Sequence, residues 1–431
     1  MKTKKKLLVL GLALSLLVGC GEGKRGEHPS SEANVSNMSF SLTESRETLS
    51  KEDLQKLPLL EEGTWIVGQN DEKWYKNKGT FYDAFDTVIQ LTGYTKDEET
   101  FKQAFSLCQS EFQRLHKLFD NYHEYDGITN IMTLNRKASK ETIVVDDELF
   151  SLLQFCKEQN AKTQGKVNIA MGKTLALWHD LREAVTDEHE HAPVVNESDT
   201  IENRSEVGEK GAEHAHDLAE RTFSLPTKEA LEEANQHSNL DNLVLDEANK
   251  TVLIRDSALQ LDAGAVAKGY ATELVARKLK SAGLEHGIIS AGGNIKTIGN
   301  PVDGRAQWKV GIMHPRPEQK DVLATVLVSG DTAMVTSGDY QRYFELDGVR
   351  YAHIIDPVTL YPATRYTSVS IRTADSGLAD YLSTVFFIAD ETEAQQILAN
   401  YADAGVDVIW VDQQMNVMST PGIKPDIELV P

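Results

Sequence analysis

Residues 261–300, LDAGAVAKGYATELVARKLKSAGLEHGIISAGGNIKTIGN, constrain the fold more than any other stretch of the chain. Val266, Ala267, Tyr270, Leu274, Val275 and Leu279 recur at helical spacing. Gly283 is placed to stop that helix, because glycine accepts the left-handed conformation of a C-terminal cap. Residues 287–291 then read as a buried strand running into Gly292-Gly293-Asn294. Glycines at both ends let backbone approach a ligand closely. Lys268 falls in the first turn, where free N–H groups and the positive end of the helix dipole favour an anion. The same residues also describe an ordinary helix packed on a sheet, so the stretch alone leaves both readings open.

The rest of the chain alternates between helical and strand patterns. Residues 98–120 carry Phe101, Phe105, Cys108, Phe112, Leu115 and Leu118 on one helical face. Residues 146–159, 227–236 and 376–389 are further helices, the second of these capped by Thr227 and the last entered through Asp375-Ser376-Gly377. Residues 243–245 and 252–254 suggest a hairpin, and short strands are expected at 308–313, 324–329, 333–337, 368–372 and 406–411. The expected class is α/β, with a mixed sheet in one large unit of intimate subdomains. No internal repeat is evident. Cys108 and Cys156 lie in apolar helical patterns and read as buried thiols rather than a disulfide or a metal pair.

Residues 1–20 look like a targeting segment. Lys2, Lys4, Lys5 and Lys6 precede an uncharged run that ends Leu17-Val18-Gly19-Cys20, a lipobox pattern. The expected product starts at a diacylated Cys20, anchored in a bacterial membrane and facing away from the cytoplasm, and two acyl chains suffice for stable anchoring. A cleaved signal with a chance cysteine is the other reading. Loss of those four lysines takes the formal charge from -22 to about -26. Such acidity argues against nucleic acid as a partner and against a basic membrane-binding face. Residues 21–57 are polar and poor in aromatics, as a flexible tether is. The stretch from 58 to 425 is long enough for a large core.

Residues 185–221 interrupt that unit. They are rich in Glu, Asp and His, nearly lack large apolar side chains, and are expected to be a disordered insertion. His189, His191, His214 and His216 in such a loop can bind zinc or copper weakly, or be solvated low-complexity sequence.

Seven segments in order resemble the ApbE family, the FAD:protein FMN transferases. One of them is residues 261–300 themselves. Phe85-Asp86-Thr87 stands where the family has Met-Gly-Thr at the start of its first core strand. Phe119-Asp120-Asn121-Tyr122 with Asn130-Ile131-Met132-Thr133-Leu134-Asn135 is similar to F-S-x-Y and S-x-L-N. Val167-Asn168-Ile169-Ala170-Met171-Gly172, before Leu177-Trp178, resembles F-D-x-T-V-G…L-W. Thr336-Ser337-Gly338-Asp339-Tyr340, Tyr351-Ala352-His353-Ile354-Ile355-Asp356-Pro357 and Ala379-Asp380-Tyr381-Leu382-Ser383-Thr384 complete the series. Two positions depart from the pattern: Asp86 replaces a glycine and Asn168 an aspartate.

By spacing, Asp380 and Thr384 are four apart and share a helical face. That pattern fits either a helix-terminal charge beside a buried threonine or a hard-oxygen set suited to Mg²⁺. The resemblance implies the second, with the backbone carbonyl of Ala265 as a further ligand. It also implies FAD contacts at Asp262, Lys268, Phe85, Tyr122, Ile354 and the turn Ala170, Met171 and Gly172. His353 and Asp262 are both candidates for proton transfer, and sequence does not rank them. The implied reaction is Mg²⁺-dependent transfer of FMN from FAD to a Thr or Ser hydroxyl of an exported acceptor protein, with AMP leaving. A Mg²⁺-dependent FAD pyrophosphatase, or a lipoprotein that only binds flavin or metal, are the competing readings.

If the N-terminal pattern is a lipobox, Cys20→Ala will leave an unprocessed precursor that takes up no labelled fatty acid. Normal acylation of that variant would remove the assignment.

Overall fold

In the computed structural model, residues 59–68, 71–191, 223–316 and 321–430 are described. The segments 1–20 and 21–57 and most of 185–221 lie outside the described residues. No helix among the described residues is long and apolar enough to cross a membrane.

The frame is one ten-stranded sheet. Its central strands are β1 (Lys73–Ala84), β2 (Thr87–Thr95), β3 (His286–Ala291), β4 (Asn294–Ile298), β5 (Ala333–Gly338), β6 (Tyr366–Thr373) and β7 (Asp407–Asp412). They lie side by side in chain order. Every neighbouring pair is antiparallel. The helices that matter for the site are α1 (Glu98–Phe119), α2 (Asp147–Lys162), α3 (Gly172–His191), α4 (Ala267–Ser281) and α5 (Ser376–Ile388). The expected mixed α/β class is what forms, with no parallel pair among these strands.

Burial on both faces explains why the strands read as apolar runs rather than as strict alternation. Ile289, Ala291, Ile298, Val335, Val369 and Ile371 share the principal core with α1, α4 and α5. Ile288, Ile295, Met334 and Ile409 belong to the other face. There they meet Trp308, Val310, Ile312, Val326 and Val328 of a three-stranded sheet formed by Trp308–Met313, Val322–Val328 and Ile427–Leu429. A third, smaller core joins Trp178, Leu181 and Val185 of α3 to Leu231, Phe344, Ile355 and Leu360. Cys108 and Cys156 are free and buried, as expected.

Two expectations need correction. Phe85 and Asp86 do not open a strand; they are the two-residue turn between β1 and β2, with Ala84 opposite Thr87. Their φ values of 54° and 48° are the left-handed pair that a tight hairpin turn requires, which accounts for a glycine being acceptable at the second position. The insertion also starts later than residue 185. α3 runs on to His191, and Val185 is buried in the third core, because its period continues that of Trp178 and Leu181.

α4 and α5 cross at a distance that only glycine permits. A Cβ on Gly269 would lie 2.3 Å from Asp380 Cβ and 2.4 Å from the Ser376 carbonyl oxygen. Gly269→Ala should therefore lower stability by about 1–3 kcal/mol, the usual range for overpacking, measured by denaturant unfolding. An unchanged midpoint would mean that the helices separate freely.

Candidate active site

Three chain segments are tied together just ahead of α4. The Asn135 side chain acts as a surrogate strand: its amide nitrogen donates to the Leu261 carbonyl at 3.0 Å, and its oxygen accepts from Leu261 N–H at 2.7 Å. The next residue, Asp262, donates its N–H to the Ile169 carbonyl at 2.8 Å. Gly172 N–H reaches the Gln260 carbonyl at 3.0 Å, and a Cβ there would sit 2.7 Å from that same oxygen. The turn Ala170, Met171 and Gly172 is thus sewn to residues 260–262.

Asn168 explains its own departure from the family pattern. Its oxygen accepts from Ala170 N–H at 2.9 Å, while its nitrogen donates to the Ser238 carbonyl at 2.7 Å. An aspartate could make only the first of these bonds.

Asp262 has both carboxylate oxygens engaged. Gly264 N–H donates to one at 2.7 Å and the Asn121 amide to the other at 3.1 Å. Desolvation nonetheless pushes its carboxyl above the ordinary value, against the pull of those bonds and of His179 and Arg342. Tyr122, next along from Asn121, is 55% exposed, and its ring lies 5.5 Å from that of His179 on α3. Phe85 is half-buried at 5.4 Å from the His116 ring.

Asp380 is buried on α5. Gly269 N–H donates to its Oδ2 at 2.7 Å, and the Asn294 amide stands 3.5 Å from the same atom. That bond diverts Gly269 from the carbonyl four residues back, so the Ala265 carbonyl accepts no hydrogen bond among the described residues. Thr384 comes one turn after Asp380 and is half-buried. Ser383 is spoken for, within 2.7 Å of Ser337 Oγ and 2.8 Å of the Asp380 carbonyl. A carboxylate, an uncommitted carbonyl and a hydroxyl are hard oxygen donors of the kind a small divalent cation takes. Among the described residues no three His, Cys, Asp or Glu side chains are grouped so as to hold a metal, so this donor set has a single carboxylate.

His353 is solvent-accessible, yet it stands among cations. Its Nδ1 lies 3.0 Å from the Arg342 carbonyl, a contact that requires Nδ1–H and leaves Nε2 with a free lone pair. Desolvation, then the charges of Arg342, Arg182 and Lys268, push its imidazole down to about 3. The three cations fix that direction even where solvent softens the desolvation. Ile354 beside it is buried in the principal core, and Ile355 in the third.

The sequence-derived residues Asp262, Ala265, Lys268, His353, Asp380 and Thr384 are therefore linked into one region by hydrogen bonds, helix position and mutual charge. Arg182, Arg342 and His179 belong to it as well and were not singled out by sequence; Asn294, the end of the Gly292-Gly293-Asn294 turn, also joins it. Asn121 and Ser337 lie inside family motifs, so a signal for them exists. Arg182 and Arg342 have none, because arginines on helices and at strand ends are usually solvated.

Burial raises the Asp380 carboxyl above its ordinary 3.8, outweighing the opposing charge of Lys268 and the Gly269 bond. Folding thus favours the protonated form, and that contribution is lost as pH rises through the raised value. At neutral pH, where the unfolded chain carries this carboxylate ionised, burying the group works against folding. Asp380→Asn should then raise the melting temperature of metal-free protein at pH 7, and the gain should vanish below about pH 4. A lower melting temperature at pH 7 would show that the carboxylate stabilises the helix crossing instead.

The ApbE family model matches residues 85–410. A FAD:protein FMN transferase of Treponema pallidum (strain Nichols) is 30% identical over 306 residues, which cover 68% of this chain and 73% of that protein. Another, from Klebsiella pneumoniae (strain 342), is 25% identical over 335 residues, 77% of this chain and 89% of that one. Among solved structures, the ApbE protein of Thermotoga maritima shares the fold with a TM-score of 0.64 at 24% identity, over 82% of this chain and 99% of its own. The flavin transferase ApbE from Vibrio cholerae does so with a TM-score of 0.60 at 20% identity, over 81% and 99%. With residues 85–410, most of its length, matched by the family model, this chain belongs to the ApbE family.

Proposed function

We propose that the protein is a FAD:protein FMN transferase that moves FMN from FAD to a Thr or Ser hydroxyl of an exported acceptor protein and releases AMP, with Mg²⁺ as cofactor. The observation that carries this reading is the diverted Gly269 bond, which leaves the Ala265 carbonyl uncommitted beside the buried Asp380. Relatives named for this activity supply the reaction class.

Asp380, Thr384 and the Ala265 carbonyl would hold the metal, which when bound supplies charge neutralisation at the pyrophosphate. Phe85, Tyr122, Ile354 and the turn Ala170, Met171 and Gly172 would line the dinucleotide. In the transfer, the acceptor oxygen bonds to the FMN phosphorus. The bond from that phosphorus to the bridging oxygen breaks, and AMP departs with that oxygen and its electron pair. The hydroxyl proton must go to a base, since threonine is a weak nucleophile at neutral pH. We assign this role to Nε2 of His353, which carries no hydrogen bond; in the free protein it is a weaker base than Asp262, whose carboxyl is raised and takes one hydrogen bond on each oxygen. Asp262 then fixes the turn that leads into α4, and Lys268 faces the phosphate oxygens. On this reading Cys20 carries the lipid that holds the enzyme at the outer side of a bacterial membrane, where an exported acceptor is met.

The test is the mass of an acceptor protein after incubation with FAD and Mg²⁺. An added FMN less water, with AMP in solution, is expected; free FMN as the sole flavin product would make the protein a pyrophosphatase. Asp380→Ala should lower transfer by about two orders of magnitude or more, with partial recovery at high Mg²⁺ or Mn²⁺. Wild-type transfer by that variant at low Mg²⁺ would remove the metal from the mechanism.

A further inference from the structure

Three cations in the site form no close ion pair with a carboxylate among the described residues. Arg114, Arg136, Arg277, Arg305, Arg350 and Arg372 each hold an acidic side chain. Lys268, Arg182 and Arg342 do not, among the described residues; Arg255 and Arg365 also lack one but stand apart, whereas these three act on one histidine, in a sequence whose acidic side chains outnumber basic ones 66 to 44. In so acidic a chain, an unpaired cluster of positive charge marks a place where an anion is expected.

Hydrogen bonds and ring contacts locate the two arginines. Arg342 adjoins His353, whose backbone N–H and Nδ1–H both meet the Arg342 carbonyl, at 3.1 and 3.0 Å. Arg182 lies three residues after His179 on α3, and so on the same helical face. The His179 ring meets that of Tyr122, whose neighbour Asn121 binds Asp262 at 3.1 Å. The charges are felt accordingly. Arg342 acts on Tyr82, Tyr122, Asp262, His353 and Arg182, while Lys268 acts on His353 and Asp380.

We propose that Arg182 and Arg342 join Lys268 as a phosphate cradle, positioning the pyrophosphate of the bound dinucleotide against His353. The proposal rests on the transferase reading and adds two residues to it. A pyrophosphate fits better than an acidic peptide because the charges converge on the residues that carry the chemistry: all three on His353, Arg342 on Asp262 and Lys268 on Asp380. Arginine suits the role through its planar fork, which matches phosphate oxygens in pairs. In the free protein the cradle is under tension: burial and the charge of Arg342 both disfavour the charged form of Arg182. A bound anion relieves this repulsion. It also offsets the three charges that, after burial, hold the His353 imidazole down, so substrate itself would increase the basicity of Nε2.

Calorimetry with ADP, FAD and riboflavin, each with and without Mg²⁺, tests the cradle. Riboflavin is the control because it has no phosphate. Arg182→Gln and Arg342→Gln should each weaken ADP and FAD about tenfold or more and leave riboflavin within about twofold. Arg182→Lys and Arg342→Lys should fall between. By NMR, ADP should raise the His353 pKa in the wild type; in the double Gln variant it should start higher and shift less. Unchanged ADP affinity in the Gln variants would overturn the cradle. Equal losses for ADP and riboflavin would also overturn it, in favour of a structural role. Wild-type protein that binds neither ADP nor FAD under any of these conditions would instead refute the transferase reading and the cradle with it.

Discussion

The contact on which the site depends is a single hydrogen bond, from Gly269 N–H to the Asp380 carboxylate at 2.7 Å. It exists because α4 and α5 approach so closely that no side chain fits between them at that point. The same close approach buries Asp380, orients one of its oxygens and strips the Ala265 carbonyl of its helical partner. Packing and chemistry are therefore one constraint here. A bulkier residue at position 269 would affect the fold and the oxygen donors together.

Around this crossing, backbone segments are held by side-chain amides rather than by strand pairing alone. Asn135 clamps Leu261, Asn121 steadies Asp262, Asn168 bridges Ala170 and Ser238, and Asn294 approaches Asp380. An amide both donates and accepts, so each can satisfy two unlike backbone or side-chain groups at once. Irregular segments near a ligand need this, because their own backbone groups lack regular partners.

Sequence is most informative where periodicity or spacing has a direct structural meaning. The helix of residues 267–281, the strand after it and the helix from Ser376 all arise from apolar period and capping. The sheet order is not legible, because antiparallel pairing between distant strands leaves no local trace. The turn at Phe85 and Asp86 escapes a sequence reading since an aromatic residue with positive φ runs against propensity. Val185 reads as part of an insertion because the acidic residues after it mask one further turn of α3. Arg182 and Arg342 stay hidden for a different reason. Their distinction is the absence of a partner, and absence is visible only once neighbours are known.

Consecutive residues at the site belong to different cores: Ala170 and Ile354 to the principal one, Met171 and Ile355 to the smaller one built on α3. The site is thus a joint between two packed clusters. The relative placement of its residues follows how those clusters abut, not the backbone of any single element. Repacking Trp178, Leu181 or Phe344 would shift Met171 and Ile355, and His353 with them, against Asp262 and Asp380 on the principal core. In an architecture of this kind, accommodation of a bulkier or slimmer occupant can evolve through apolar substitutions remote from every reacting atom.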